Sequence, residues 1–332
     1  MLLLARPDVV DEATRRQFLG IIAAAGLLTA CGDDRDSKGS SGSSGSSTRT
    51  VDDVFGTVEV PTDPQRVVAM EQQVLGNLLA LGFPIERIVG FGKDDIDLDN
   101  LDFIAAPDVL KDLPSVGTFS EPNAELLAAA QPDLILAVAD TIYTDFYAPI
   151  FKALNSVGAP VFAAYNGYTT LDEAMRLLAD VGRAVGLEEK ATEAEQHLRD
   201  RIADVVSRLD AAGERPSVGF LRATSDGLVA NNVMPLLDEL GLPGDRPTPE
   251  EFYVEVSAEN LTEVFVHDVL FVSDGDDPDK VIADLEANPL WSRLPAVRAG
   301  RVQVVPDVVW GSSYSVQAFE RQLDDIEQAL LG

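Results

Sequence analysis

The chain has 332 residues, too many for one ordinary hydrophobic core and enough for two domains of typical size. Its 56 acidic side chains outnumber 25 basic ones, for a formal net charge of -31, and such a surface repels phosphate backbones and argues against a nucleic-acid partner. A single cysteine, Cys31, excludes an intrachain disulfide, a Cys-based zinc site and a redox pair.

The first thirty residues read as an export signal. Thr14-Arg15-Arg16-Gln17-Phe18-Leu19 matches the twin-arginine pattern, and the apolar run from Phe18 to Leu28 is too short to span a bilayer. Leu28-Thr29-Ala30-Cys31 has the form of a lipobox, which makes Cys31 the lipid-modified first residue of the mature chain. Several acyl chains on one residue give stable anchoring where one would be marginal. From Ser37 to Thr48 nearly every residue is Ser or Gly, a flexible tether. The expected divisions are a signal peptide over 1–30 and a tether over 31–50.

An N-terminal α/β lobe is expected over 51–169. Short strand patterns lie at Thr57–Pro61, Arg66–Met70, Ile88–Phe91, Pro132–Ala137 and Pro160–Ala164. Helical patterns alternate with them at Glu71–Leu81, Ala124–Ala130 and Tyr143–Leu154, which implies a mostly parallel sheet with helices on both faces. The acidic run Asp94, Asp95, Asp97, Asp99 and Asp102 lacks the glycine and the alternate spacing of a calcium loop and reads as a solvated loop.

Residues 170–212 read as two helices in tandem. Leu171, Ala174, Leu178, Val181 and Val185 form one apolar stripe, with Thr170 as N-cap, Glu173 as its capping-box partner and Gly186 as the stop. Ala191, Ala194, Leu198, Ile202, Val205 and Leu209 form the second. The stripes alone fit either two surface helices or a stiff spine between two lobes.

A C-terminal α/β lobe is expected over 213–332, with strands at Ser217–Arg222, Gly227–Ala230, Val269–Val272 and Arg301–Val305 and a closing helix at Val316–Leu331. A short unit recurs in the two lobes. Glu125-Leu126-Leu127 leads through Asp133 into Leu134-Ile135-Leu136, and Glu259-Asn260-Leu261 leads through Asp268 into Val269-Leu270-Phe271. Each glutamate in a first helical turn favours the helix dipole, by a few tenths to about 1 kcal/mol.

Four signatures occur in order: Val60-Pro61 through Pro64-Gln65-Arg66-Val67-Val68-Ala69; Val116-Gly117 through Glu121-Pro122-Asn123-Ala124-Glu125 to Gln131-Pro132-Asp133; Val256-Ser257 through Glu259-Asn260-Leu261 to Asp268; and Asn288-Pro289-Leu290-Trp291 through Leu294-Pro295-Ala296-Val297 to Gly300-Arg301. Together they resemble the substrate-binding proteins of iron-siderophore ABC transporters, which are related to vitamin B12 and haem binders. The resemblance spans Val51 to Leu331. It implies two three-layer α/β lobes joined by a rigid interlobe helix, with the ligand in the cleft between them. It also implies that Glu125 and Glu259, one per lobe, dock on arginine pockets of an ABC permease.

A ferric siderophore carries its own iron, so no protein cofactor or metal site is expected, only aromatic walls and, for an anionic chelate, cations. Candidates at strand ends and loops are Glu71, Phe119, Tyr165, Tyr168, Arg222, Tyr253, Trp310 and Tyr314. Arg222 either meets an anionic ligand or pairs with Asp226 or another acid. Trp310, beside Gly311, Ser312 and Ser313, reads as a cleft-edge loop, with ordinary packing as the alternative. The two histidines of the chain after Cys31, His197 and His267, have no local partner that would suggest zinc. Gly-x-Ser-x-Gly, a phosphate-binding loop and a Ser/His or Cys/His constellation are all missing from the sequence, so no enzyme is expected. The expected protein is a monomeric, lipid-anchored, extracytoplasmic binder that captures a ferric siderophore for a permease. Haem, cobalamin and a non-transport envelope adaptor remain as alternatives.

Overall fold

The computed structural model describes residues 47–93, 101–105, 107–213, 215–224, 227–244, 253–257, 259–273 and 278–332. The twin-arginine pattern, Cys31, the residues of the acidic run from Asp94 to Asp99, and Asp226 lie outside them. Among the described residues no helix is long and apolar enough to cross a membrane.

The body opens with an antiparallel hairpin, β1 (Thr48–Asp53) and β2 (Gly56–Pro61). Strand β1 begins inside the stretch read as tether. Its alternation Thr48-Arg49-Thr50-Val51 is what places Val51, at 7% exposed, in the core. The N-terminal lobe follows: β3 (Val67–Ala69), α1 (Gln72–Ala80), β4 (Ile88–Phe91), α2 (Pro107–Asp112), α3 (Ala124–Ala130), β5 (Leu134–Ala139), α4 (Thr144–Asn155) and β6 (Val161–Tyr165). Its four strands are parallel in the order β4-β3-β5-β6. Every residue of β3 and β5 is buried, as expected for parallel strands covered on both faces. The edge strand β6 is closed by side chains. Asp53 Oδ2 accepts from the Ala163 N–H at 3.1 Å and Asp180 Oδ2 from the Tyr165 N–H at 2.8 Å.

Helix α5 (Leu171–Val185) starts where Thr170 Oγ1 accepts from the Glu173 N–H at 3.2 Å and stops at the left-handed Gly186. Its apolar stripe packs on β6 and α1, so α5 belongs to the N-terminal lobe. Helix α6 (Glu188–Ala212) is the element that carries the chain over to the second lobe.

That lobe holds β7 (Val218–Thr224), β8 (Gly227–Asn231), α7 (Pro235–Glu239), β9 (Tyr253–Val256), α8 (Leu261–Val264), β10 (Val269–Ser273), α9 (Pro278–Ala287), α10 (Pro295–Ala299), β11 (Val302–Val305) and α11 (Val316–Leu331). The sheet order is β11-β10-β7-β8-β9; β11, β10 and β7 are parallel, while β8 runs against both β7 and β9. Helix α11 returns to brace the molecule. It lies beside α6, with Arg201 paired to Glu320, to Asp324 at 2.9 Å and to Glu327 at 3.0 Å, and Arg208 paired to Glu327. Its first turn docks on the other lobe, where Asn77 Oδ1 accepts from the Val316 N–H at 3.2 Å.

The aspartate of the recurring sequence unit has one structural role in both lobes. Asp133 accepts from the Gln65 and Arg66 N–H groups at 2.8 and 2.9 Å, ahead of β3. Asp268 accepts from the Ser217 N–H at 2.9 Å and from its hydroxyl at 2.8 Å, ahead of β7. Each aspartate fastens the entry of its own strand to the neighbouring strand. The Ser217 hydrogen bonds hold the Asp268 carboxyl below its ordinary value of 3.8. A depressed carboxylate contributes stability above its unfolded pKa and loses it as pH falls through the folded one. Asp268→Asn is therefore expected to destabilise the protein most near neutral pH, with the difference from wild type closing in acid below the ordinary value. Urea unfolding of both proteins across pH checks this; a difference that does not shrink in acid contradicts it.

Candidate functional site

In a parallel lobe the loops that leave the C-terminal strand ends share one edge, where ligands bind. Glu71, just past β3, is 5% exposed, and its carboxylate accepts from the Val138 N–H at 3.2 Å. Asp140, just past β5, takes the Ile142 and Tyr143 N–H groups on Oδ1 at 2.7 Å each. That turn leaves Ile142, Tyr143 and Phe146 exposed by 62, 50 and 53%. These three side chains form an exposed apolar pad beside the Asp140 turn. Phe119 packs against Phe146 and Tyr147 at 6.2 and 6.0 Å, and Phe146 meets Tyr147 edge-on at 5.2 Å. The Tyr147 hydroxyl accepts from Asn166 Nδ2 at 2.9 Å. Burial pushes that phenol up, and the Asp140 and Glu71 carboxylates push it the same way.

Tyr165 closes β6. Its hydroxyl donates to Glu173 Oε1 at 3.2 Å, and the Arg176 guanidinium lies 4.0 Å from its ring centroid. Glu173 also accepts from the Thr169 N–H at 3.0 Å and from the Thr169 hydroxyl. Burial raises the Glu173 carboxyl, but these hydrogen bonds outweigh it and hold the group ionised below the usual range. The expected capping pair is present: Thr170 Oγ1 accepts from the Glu173 N–H at 3.2 Å, and the Glu173 carboxylate is held in turn by the Thr170 backbone as well as by Thr169 and Tyr165.

In the C-terminal lobe Arg222 donates through Nε and Nη2 to Asp307 Oδ1 and Oδ2, both at 2.7 Å. This is a planar bidentate pair, with side chains 22 and 25% exposed. The acid that pairs with Arg222 is Asp307. A Cβ at Gly311 would stand 2.5 Å from Arg222 Nε, so the arginine needs glycine there. Burial works against the Arg222 charge, and the Asp307 hydrogen bonds and charge more than restore it. Tyr314 meets Tyr168 of the other lobe at 5.4 Å between centroids. The Tyr314 hydroxyl is shut from solvent and has no hydrogen-bond partner among the described residues. Tyr253, 48% exposed, opens the edge strand β9 within reach of the Arg222 charge.

Trp310 is not on a cleft-edge loop. It is 2% exposed inside a π-helical turn, Val308–Ser312, stacked on Phe271 at 4.3 Å, with Nε1 donating to Asp325 Oδ2 at 2.9 Å. Its place is the packed face between the sheet and α11. The exposed residues that sequence reading missed, Ile142, Tyr143 and Phe146, sat within or beside a segment read as helix. Their signal was the Asp140 turn just ahead of it.

Glu125 and Glu259 are both exposed. Glu125 stands in the first turn of α3, whose N-cap Asn123 accepts from the Glu125 and Leu126 N–H groups at 3.0 and 3.1 Å. Glu259 instead precedes Asn260, the N-cap of the short α8, so it lies in the entering turn rather than in a helical first turn. A separate cavity of about 20 Å³ lies within the C-terminal lobe, bounded by Phe220, Asn231 and His267 among others; it holds about one water and no larger ligand.

Two α/β lobes joined by a crossing helix are the architecture of a two-lobed substrate-binding protein. Residues 67–309 match the periplasmic binding protein family model, and the chain belongs to that family. It is 26% identical over 309 residues to the Fe(3+)-citrate-binding protein YfmC of Bacillus subtilis, covering 92% of this chain and 93% of that one. It is 28% identical over 327 residues to the probable siderophore-binding lipoprotein YfiY of the same organism, covering 93 and 96%. Staphylococcus aureus SirA, solved in complex with staphyloferrin B, superposes with a TM-score of 0.68 at 18% identity over 86% of this chain and 99% of that one. That likeness shows the fold.

The packing of Trp310 sets an expectation. Trp310→Ala should lower stability by about 3–5 kcal/mol, whereas a more conservative Trp310→Phe should retain ligand affinity within twofold. Denaturant unfolding and ligand titration of the two variants check both. A Trp310→Phe protein that is fully folded yet tenfold weaker in binding would return Trp310 to the cleft.

Proposed function

We propose that the chain captures a ferric siderophore in the interlobe cleft and hands it to an ABC permease. The observation that carries this reading is an aromatic group at the strand-end edge of the N-terminal lobe, Phe119, Phe146 and Tyr147, together with Tyr168, whose ring meets Tyr314 of the other lobe. A preassembled chelate needs such walls, because its iron is already held. Glu71, Tyr165, Arg222 and Tyr253 complete the proposed site. The names of the relatives, one for ferric citrate and one for a siderophore, support the same reading.

The remaining parts fit this role. Residues 1–30 export the chain, Cys31 takes the lipid, and the Ser/Gly run tethers a monomeric body that begins at Thr48 to the outer face of the cell membrane. Glu125 and Glu259 meet basic pockets of the permease. Exposed ion pairs of this kind contribute about 0.2–1 kcal/mol each, so they orient rather than hold.

Titration of the protein with ferric siderophores, ferric citrate, haem and cobalamin tests the ligand class. Nanomolar binding of a ferric siderophore, about -12 kcal/mol, is expected. Saturable binding of haem or cobalamin alone would keep the fold and change the substrate. In cells, Glu125→Arg combined with Glu259→Arg should abolish iron uptake while binding survives; affinity lost in step with uptake would remove the docking role. Cys31→Ser should release the protein from the membrane fraction, and continued membrane retention would contradict the anchor.

A further inference from the structure

The charge of the cleft says which ferric chelates fit it. On the N-terminal side stand the carboxylates of Asp140 and Glu173 at the strand-end edge and that of the buried Glu71, while one cation, Arg176, lies over the Tyr165 ring. On the C-terminal side the Arg222 guanidinium is bound through Nε and Nη2 by both oxygens of Asp307. Arg222 therefore enters the cleft already neutralised. The carboxylate charge reaches the aromatic walls: Asp140 acts on Tyr147, Tyr165 and Tyr168, and Glu173 on Tyr165 and Tyr168. Among the described residues these groups are four carboxylates against two guanidiniums. The long-range field has the same sign, because the whole chain carries a formal net charge of -31.

Iron(III) bound by three monoanionic hydroxamates is a neutral core, and a free ammonium on the scaffold makes the complex a monocation. Three dianionic catecholates leave a trianion, and ferric citrate complexes are anionic. We infer, resting on the ferric-siderophore reading, that this cleft selects chelates of zero or positive net charge, the trihydroxamate class, and disfavours catecholate and citrate complexes. The exposed pad of Ile142, Tyr143 and Phe146 suits the methylene spacers of such a chelate.

The test holds the chelate core fixed and changes only its charge. A linear ferric trihydroxamate with one free ammonium is compared with its N-acetylated form, which is neutral, and its N-succinylated form, which is anionic. Ferric citrate and a ferric tris-catecholate extend the series. Radioiron binding to the full chain at low and high salt reads each affinity. The expected order is ammonium form at least as tight as the acetylated form, with the succinylated form at least tenfold weaker and that gap narrowing in high salt. Asp140→Asn and Glu173→Gln keep an acceptor oxygen for their hydrogen bonds and should each reduce the gap. Asp307→Asn should strengthen the anionic forms relative to the neutral one. A tris-catecholate or citrate complex bound more tightly than the ammonium form overturns the charge assignment and leaves the siderophore reading standing. A flat series does the same. Failure of every ferric chelate to bind overturns both.

Discussion

The orientation of the two lobes depends on the packing of α11 across the molecule. Arg201 gathers Glu320, Asp324 and Glu327 of α11 onto α6, and the buried Asn77 side chain receives the first turn of α11 on the opposite lobe. Single exposed ion pairs contribute little, but several carboxylates on one arginine fix the rotation of one helix against the other. Gln72 Nε2 adds a hydrogen bond to Ser312 Oγ at 3.1 Å, and Gly76 lets the Ser315 side chain approach its helix closely. The chain thus crosses between lobes on a 25-residue helix that a second helix holds in place. Such a joint permits small shear and opposes wide hinge closure.

With the lobes held, the strand-end edges that would receive the ligand are ordered by the protein's own contacts. Each lobe orders its strands so that loops leave on one edge, and each pins its first strand through an aspartate, Asp133 or Asp268. The residues at that edge are fixed by local chemistry: Asp140 by two backbone N–H groups, Glu173 by Thr169 and Tyr165, Arg222 by Asp307. Preorganisation of this kind lowers the ordering cost of binding. It also fixes the sign of the field before any ligand enters.

Much of the fold was legible in the sequence because its signals are local. The short apolar run that follows Pro132 and Asp133 reads as a strand buried on both faces and is found at Leu134–Ala139, and Thr170 and Gly186 bound α5 by capping and by left-handed backbone. What was not legible depended on distant partners. Arg222 finds its acid 85 positions away, across the sheet, where no spacing rule reaches. Trp310 sits among glycine and serine and so reads as loop, yet a π turn directs its ring onto Phe271 and its N–H onto Asp325. Tyr143 and Phe146 follow a helical period, and only the Asp140 turn reveals their exposure. The Glu259 position misled for a simpler reason: α8 is four residues long and begins after Asn260.

The central claim is that a braced, preformed cleft holds the chelate. Pulsed electron spin resonance between two nitroxides tests it most directly. The labels would go on Ala128 in α3 and Glu286 in α9, both exposed, in a Cys31→Ser background that removes the chain's own cysteine. The distance distribution is measured without ligand and with the tightest ferric chelate. A braced joint should give a single narrow distribution that shifts by roughly 2 Å or less, as for a helix-shear motion. A broad distribution without ligand that collapses by about 10 Å on binding, the mark of hinge closure, would contradict it.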